Sequence, residues 1–275
     1  MQKEDEVLQV LDMNEYQSLD AYSRSDLMLV KKTPYHLKAK RERIYGSEEK
    51  ESSPSMLIGE LVHCIVLEPE EVSRRFVGMP KIDRRTKEGK VLYAQFLESS
   101  KGKLVVDERT FELASYMATN VIEQEISASA LKGCVIERSI LWQDEESGLN
   151  FKCRPDAYNP ANGLVVDLKT TKDACYRGMQ SSSVKYGYFL QAAMIREALI
   201  HHGLKFTKYV LLCVENTEPY VCAPFIIDDS ALDSGLSEFS FLKRKLATCL
   251  HEQQFNHHPL KTLLYPSWAE QDFED

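Results

Sequence analysis

One stretch of the sequence, residues 151–170 (FKCRPDAYNPANGLVVDLKT), brings two carboxylates and a lysine, Asp156, Asp167 and Lys169, into a single predicted hairpin. Turn-forming Asn, Pro and Gly residues separate Asp156 from an apolar run that ends in Asp167-Leu168-Lys169. Two strand-like runs joined by such residues predict a β-hairpin, with Asp156 near the end of its first strand. Because positions i and i+2 of a strand share a face, we expect Asp167 and Lys169 to project together and Leu168 to enter a core.

This arrangement of charges suits one kind of chemistry. Two carboxylates supply the oxygen ligands that a hard divalent cation prefers, and an ammonium beside them can contact a phosphate or a bound water. The same residue types are also common on protein surfaces. A solvated hairpin with a surface ion pair is therefore the alternative interpretation.

The composition is that of a soluble globular protein. Of the 275 residues, 43% are hydrophobic and 28% are charged, which is enough apolar material for a core. No apolar run approaches the roughly 18 residues of a membrane span, and the acidic N-terminus lacks the apolar segment of a signal peptide. Seven scattered cysteines without CxxC spacing predict reduced thiols and a cytoplasmic location, and argue against a zinc ribbon. The net charge of −8 argues against a protein that coats nucleic acid nonspecifically.

The order of predicted elements indicates an α+β fold, in which a central mixed β-sheet is flanked by helices and preceded by an N-terminal helical lobe. Strands are predicted over 134–142, 149–154, 208–214 and 220–227, and helices over 91–100, 108–126, 184–202 and 239–253. No repeat or linker divides the chain, so residues 1–275 are predicted to form one domain. Its parts are a helical lead-in (1–55), a core (about 56–255) and a tail (256–275).

Three polar residues fall within predicted regular elements. His63 lies in an apolar helical stretch, one turn beyond Gly59. It is either a core histidine or a metal ligand or phosphate contact, and an interior glycine usually indicates close packing or close approach of a ligand. Gln191 sits beside the apolar stripe of its helix, where a buried amide needs polar partners. Glu137 falls in a predicted strand and is either a support for the hairpin site or a polar strand-face residue.

Two basic stretches, 38–43 and 81–90, are candidate contacts with a nucleic-acid backbone. The second, KIDRRTKEGK, has few apolar residues and is predicted to be a loop. Each stretch is either an ordinary exposed surface or part of a path for phosphates. The candidate DNA-binding residues are Arg84, Arg85, Lys87, Lys90 and Arg154.

Five segments occur in a characteristic order: GELVHCIVLEPEE, DRRTKEGK, FKCRPDAY, VVDLKTT and YGYFLQAA. Together they resemble the exodeoxyribonuclease VIII (RecE-type) family of PD-(D/E)XK nucleases, relatives of lambda exonuclease and the RecB nuclease domain. The resemblance covers about residues 20–215.

The resemblance implies a Mg²⁺-dependent exonuclease, in which Mn²⁺ can replace Mg²⁺. Such an enzyme degrades one strand of linear double-stranded DNA from the 5′ end and leaves 3′ overhangs for recombination by strand annealing. It also implies a homo-oligomeric ring (a tetramer or trimer), a single-strand annealing protein as partner, and a bacterial or phage-encoded protein in the bacterial cytoplasm.

The family's active-site positions match His63, Asp156, Asp167 and Lys169, and its helical glutamine matches Gln191. The implied metal ligands are Asp156, Asp167, the main-chain carbonyl of Leu168, and His63. In the RecB branch a tyrosine lies four residues beyond the glutamine, where this chain has Ile195, so Gln191 matches that motif only in part.

Two further functions stay open for the same residues. A DNA endonuclease of the same fold would use the same carboxylates but would cut closed circular DNA. A non-catalytic DNA-binding recombination module would keep the fold without the chemistry. The joint presence of Asp156, Asp167 and Lys169 favours an enzyme over that module.

Overall fold

The structure is a computed structural model that describes residues 6–44 and 53–264. The helices are α1 (Met13–Ser18), α2 (Arg24–Lys32), α3 (Pro34–Arg41), α4 (Pro54–Leu67), α5 (Val72–Arg75), α6 (Lys87–Ser99), α7 (Glu108–Glu123), α8 (Glu125–Leu131), α9 (Tyr176–Tyr186), α10 (Tyr188–His201) and α11 (Asp229–His251). The strands are β1 (Phe76–Gly78), β2 (Leu104–Val106), β3 (Val135–Ile136), β4 (Ile140–Gln143), β5 (Asn150–Cys153), β6 (Ala157–Asn159), β7 (Leu164–Thr171), β8 (Lys208–Glu215) and β9 (Cys222–Ile227).

A five-stranded mixed sheet of order β3-β6-β7-β8-β9 forms the centre of the fold. Strand β7 pairs antiparallel with β6 and parallel with β8, and both β3–β6 and β8–β9 are antiparallel. Strands β4 and β5 form a separate hairpin, and β1 pairs with β2. The predicted α+β class with a central mixed sheet flanked by helices is therefore confirmed.

Two hydrophobic cores cover the two faces of β7. Val165 packs into the larger core with α2, α3, α10 and α11, whereas Val166 and Leu168 pack into the smaller core with α4 and α7. The alternation follows from the two-residue period of a strand. Leu168 is 1% exposed, so the prediction that it points into a core is confirmed.

The N-terminal helices begin where the sequence indicates. Ser23 caps α2 by accepting a hydrogen bond from the Asp26 N–H, and Thr33 caps α3 with Pro34 at the first helical position. Both caps satisfy backbone donors that have no partner within the helix.

Three of the predicted elements are wrong in their extent. The predicted strand 134–142 is two strands, because Glu137 adopts a left-handed conformation (φ 51°) between β3 and β4. The predicted helix 184–202 is divided at Gly187 (φ 71°), and its first part begins earlier, at Tyr176. The final helix begins at Asp229 instead of residue 239, because Asp228 caps it.

The predicted loop 81–90 is also shorter than expected. Thr86 accepts a hydrogen bond from the Gly89 N–H and starts α6, so residues 87–90 are helical. Gly89 is needed for close approach, because a Cβ there would lie 1.9 Å from the Asp83 carbonyl oxygen. The loop prediction is wrong at Gly89, because packing requires this glycine within a helix.

The hairpin of residues 151–170 is arranged differently from the prediction. Its first strand is β6, which begins just after Asp156, and β5 pairs with β4 instead. Asp156 therefore lies between two strands. The predicted loop 46–55 and tail 256–275 lie partly outside the described residues. Among the helices of the described residues, none has the length and hydropathy to cross a membrane.

Candidate active site

The site is built around the peptide groups of Leu168, at an edge of β7 that β6 leaves open. Strand β6 begins at Ala157, opposite Val166, so β7 continues beyond its partner. There the Leu168 N–H donates to Asp156 Oδ2 at 2.7 Å, and the Leu168 carbonyl accepts from His63 Nε2 at 2.7 Å. Two side chains thus take the place of the missing strand, as buried backbone groups require.

Asp167 and Lys169 form an ion pair on the opposite face of β7 from Leu168. Asp167 is fully buried and Lys169 keeps 16% of its side chain exposed. Burial raises the pKa of Asp167, although the Lys169 ammonium acts against it. Burial acts to lower the pKa of Lys169, but the Asp167 and Asp156 carboxylates outweigh it and raise that pKa above its ordinary value.

His63 reaches the site because α4 lies close against β7. A Cβ on Gly59, one turn earlier, would lie 3.1 Å from Thr170 Oγ1, which supports the predicted role of this glycine in close packing. Since a carbonyl only accepts, His63 Nε2 carries the proton in this contact, and Nδ1 keeps its lone pair. Nδ1 lies 3.7 Å from Asp156 Oδ2.

Glu137 joins His63 and Asp156 in a cluster whose potential ligand atoms all lie within 4.8 Å of one another. Its N–H donates to the Asp156 main-chain oxygen at 3.0 Å, which fixes the two acidic residues side by side. Burial, and then the Asp156 carboxylate, raise the pKa of Glu137 to about 8. The sequence predicts Glu137 within a strand, and its contact with the site follows from the break between β3 and β4 at this residue.

Gln191 is connected to the buried carboxylate. Its Nε2 donates to Asp167 Oδ1 at 2.8 Å, so its predicted need for a polar partner is met. Its Oε1 accepts from Arg24 Nη2 at 3.4 Å. No sequence pattern pointed to Arg24, because the two residues are 167 positions apart and meet only in the fold.

The five candidate DNA-binding residues lie in different surroundings. Lys87 and Lys90 are exposed on the first turn of α6, and the Arg84 guanidinium lies 4.9 Å from the Tyr93 ring centroid. Arg85 is paired with Asp83 at 3.0 Å. Arg154 Nε donates to Ser139 Oγ, and its Nη2 donates to main-chain oxygens of the N-terminal segment. These contacts anchor that segment, and the DNA contact of Arg154 stays a prediction.

A cavity of about 800 Å³ adjoins the site on the side of the N-terminal helices. Its lining includes Gln191 and six basic residues: Arg24, Lys40, Arg41, Arg43, Lys152 and Arg154. Lys40 pairs with Asp26 at 2.8 Å and Arg41 with Asp20 at 3.2 Å. Part of the basic stretch 38–43 therefore faces a space that is connected to the candidate site.

The donor set fits a divalent cation. Asp156, Glu137 and His63 Nδ1 offer two carboxylates and an imidazole nitrogen at one point. The Leu168 carbonyl retains a second lone pair, and Asp167 Oδ2 is buried with the Lys169 ammonium as its partner. Buried carboxylates are retained where charge compensates them, and a divalent cation with oxygen ligands supplies such charge.

Comparisons with solved structures find the same fold. A crystal structure from Eubacterium rectale, described as "Putative exonuclease", is 16% identical with a TM-score of 0.61, covering 94% of this chain and 97% of that one. A phage-related exonuclease from Haemophilus somnus 129PT is 12% identical, with a TM-score of 0.35, over 67% of this chain and 95% of its own. Among curated proteins no sequence match was found.

A family model described as a PDDEXK-like domain of unknown function (DUF3799) matches residues 23–259. The matched range contains every residue of the site, from Arg24 through His63 to Gln191. It extends over most of the chain, and the acidic residues Glu137, Asp156 and Asp167 lie within it. The chain therefore belongs to this family of PDDEXK-like domains, within the PD-(D/E)XK nuclease superfamily.

Proposed function

We propose that the protein is a Mg²⁺-dependent exonuclease that degrades one strand of linear double-stranded DNA from the 5′ end. The observation that carries the proposal is that Asp156 and His63 bind the Leu168 peptide groups, while Asp167 and Lys169, on either side of Leu168, form a buried ion pair. Carboxylates, an imidazole and an ammonium in one site are the groups that metal-assisted phosphodiester hydrolysis requires.

The proposed ligands of the cation are Asp156, Asp167, the Leu168 carbonyl and His63, and we add Glu137. A bound divalent cation lowers the pKa of a coordinated water and stabilises the leaving oxygen. Gln191 holds Asp167 Oδ1 through its amide N–H and thereby orients that carboxylate. The role of Arg24 is to fix the Gln191 amide, since the guanidinium can only donate and so keeps Oε1 turned toward it.

Lys169 acts as a cation in this proposal. The neighbouring carboxylates raise its pKa, so the amine of the metal-free protein is protonated at neutral pH. A protonated lysine orients an attacking water or offsets charge on the phosphorane, and it cannot accept a proton from the water. The protonation of the metal-free protein thus supports orientation of the water or charge compensation, and not proton abstraction, as the proposed role of Lys169.

DNA would approach along the basic surfaces. The cavity beside Gln191 exposes part of the stretch 38–43, and Arg84, Lys87 and Lys90 present charge near the start of α6. Arg85 contributes less charge to this surface, because Asp83 neutralises it.

The finer parts of the proposal rest on the order of sequence motifs. These are cutting from the 5′ end, release of 3′ overhangs for strand annealing, a ring-shaped homo-oligomer, an annealing protein as partner, and action in the cytoplasm of a bacterial host. The similar Eubacterium rectale structure carries the word exonuclease in its description, but its 16% identity extends only to the fold. We propose that residues 1–275 act as one domain.

One assay tests the proposal. Linear duplex DNA labelled at either the 5′ or the 3′ end is incubated with the protein and Mg²⁺, Mn²⁺ or EDTA, beside closed circular DNA. The proposal predicts early loss of the 5′ label, an intact circle and no reaction in EDTA. Cutting of the circle would identify an endonuclease, and no cleavage of either DNA with either metal would leave a non-catalytic module.

The Asp167→Asn variant tests the site itself. The amide has the shape of the carboxylate but neither its charge nor its metal affinity, so cleavage should fall at least about a hundredfold. Asp233→Asn is the matched control, because that carboxylate is 73% exposed and lies on α11. Equal activity of the two variants would remove Asp167 from the mechanism.

A further inference from the structure

Two tyrosines lie beside the candidate catalytic lysine, where α9 meets α10. The ring centroids of Tyr186 and Tyr188 are 6.0 Å apart and their planes are inclined by 29°. The Lys169 ammonium lies 5.3 Å from the centroid of the Tyr188 ring, whereas Tyr186 is 47% exposed. The pair thus extends from the buried ion pair to the protein surface.

The position of this pair is fixed by backbone contacts. Gly187, between the two tyrosines, has a left-handed conformation (φ 71°), and a Cβ there would lie 2.7 Å from Met28 Sδ. Arg24 Nη1 donates to the Tyr186 carbonyl oxygen at 2.9 Å. The α9–α10 junction is therefore held against α2. These contacts of the junction position the Tyr186 ring, although the ring itself is exposed.

Positive groups surround the pair. The Lys185 ammonium lies 5.0 Å from the Tyr186 ring centroid, and Lys169 and Arg24 lie on the protein side of the rings. Aromatic faces beside cations are the combination with which proteins hold unpaired nucleotides, because bases stack on the rings and phosphates contact the cations.

We propose that Tyr186 and Tyr188 form a stacking platform for an unpaired nucleobase next to the phosphate that is cut. This inference rests on the proposed nuclease function and specifies its substrate: the nucleotide at the site is separated from the complementary strand. Because every base has an aromatic face, the platform tolerates any sequence. Tyr186 is then a binding residue, and the contact of Tyr188 with Lys169 aligns the stacked base with the site.

The test compares normal and abasic substrates. End-labelled duplexes carry one abasic residue at each of the first four positions in turn, and kcat/KM is measured for the wild type and for Tyr186→Ala, Tyr186→Leu and Tyr186→Phe. One stacking contact corresponds to about a tenfold effect. Tyr176→Ala is the matched control, because Tyr176 is 68% exposed and starts the same helix.

We expect one abasic position to lower the wild-type kcat/KM about tenfold. Tyr186→Ala and Tyr186→Leu should show the same loss on normal DNA and no further loss at that abasic position, while Tyr186→Phe and Tyr176→Ala retain wild-type behaviour. Losses that multiply, or no position-specific effect in an active wild type, would overturn the platform and leave the nuclease intact. A wild type that cuts no DNA would overturn the proposed function itself.

Discussion

Glu137 combines a left-handed backbone with a carboxyl group held beside that of Asp156. Burial and the neighbouring carboxylate raise its pKa to about 8, far above the ordinary value of a glutamate. In the unfolded chain the group ionises near pH 4.5. Between these two values the folded, metal-free protein holds a proton that the unfolded chain releases.

This difference predicts a pH dependence of stability in EDTA. The folded state binds more protons, so the free energy of unfolding is highest below about pH 4.5 for this group and falls as pH rises to about 8, by about 1.4 kcal/mol per pH unit at most. Glu137→Gln should flatten that slope in urea unfolding experiments. Glu125→Gln, at an exposed glutamate, should leave the slope unchanged; equal slopes in all three proteins would contradict the assignment.

Lys169 is predicted to act in the cleavage reaction and not in DNA binding. Lys169→Met removes the ammonium but keeps the length of the side chain, so cleavage should fall at least about a hundredfold while the Kd for DNA changes little. The exposed Lys172 gives the control, Lys172→Met, in which both quantities should stay unchanged. Loss of DNA binding in Lys169→Met would move this lysine from chemistry to recognition.

At the scale of elements, α10 and α11 approach each other closely at Gly235. A Cβ there would lie 2.3 Å from the main-chain oxygen of Phe189, which belongs to the helix that carries Gln191. Backbone cannot yield as a flexible side chain does, so the two helices would have to separate.

We expect Gly235→Ala to lower the free energy of unfolding by about 1–3 kcal/mol, although alanine is the better helix former. Ser234→Ala, on the exposed side of the same helix, should be nearly neutral. Denaturant unfolding measures both. A stabilised Gly235→Ala protein would show that the helices are free to separate at no cost.

Elements with local signals could be predicted from the sequence. Ser23 and Thr33 cap helices through contacts within three residues, and β8 is a run of apolar residues. The division at Gly187 could not, because a contact with Met28 decides it, whereas α6 begins at a local cap on Thr86 that the predicted loop 81–90 overlooks. Hydrophobic periodicity predicts which face of a segment is buried, but it does not predict close contacts between residues that are distant in the sequence.

Some residues of the candidate site are likewise indicated by the sequence, whereas others are brought to the site only by the fold. Asp156, Asp167 and Lys169 are predictable because they lie close together in the sequence, and His63 and Gln191 are indicated by polar positions in apolar helices and by the family resemblance. Glu137 became part of the cluster only through the backbone break between β3 and β4. Arg24 had no signal, since its partner lies in a helix from the other half of the chain.

At the scale of the whole molecule, an acidic protein with a net charge of −8 must concentrate its positive charge to bind DNA. Arg84, Lys87 and Lys90 are the basic residues near the start of α6 that no acidic partner neutralises among the contacts described above. Lys132, Lys205 and Lys208 form a matched exposed group near the start of β8.

Replacing the first three residues with alanine should flatten the salt dependence of DNA binding, because each phosphate contact contributes about 0.9 to the slope of log K against log salt. The slope should fall by up to about three, measured in EDTA to prevent cleavage. The same change at the three lysines near β8 alters the net charge equally and should leave the slope unchanged. An equal change in both proteins would point to net charge alone.

Asp156 and His63 bind the Leu168 peptide groups that a neighbouring strand would otherwise pair with. This role affects how the two residues should be interpreted in related chains. Selection for a stable fold alone would retain both residues, since either loss leaves a Leu168 peptide group without its bond. Descendants that had given up catalysis would still carry them. Asp167 and Lys169 support each other but no Leu168 peptide group, so both can be lost together without that cost, and their joint retention distinguishes working enzymes from inherited scaffolds.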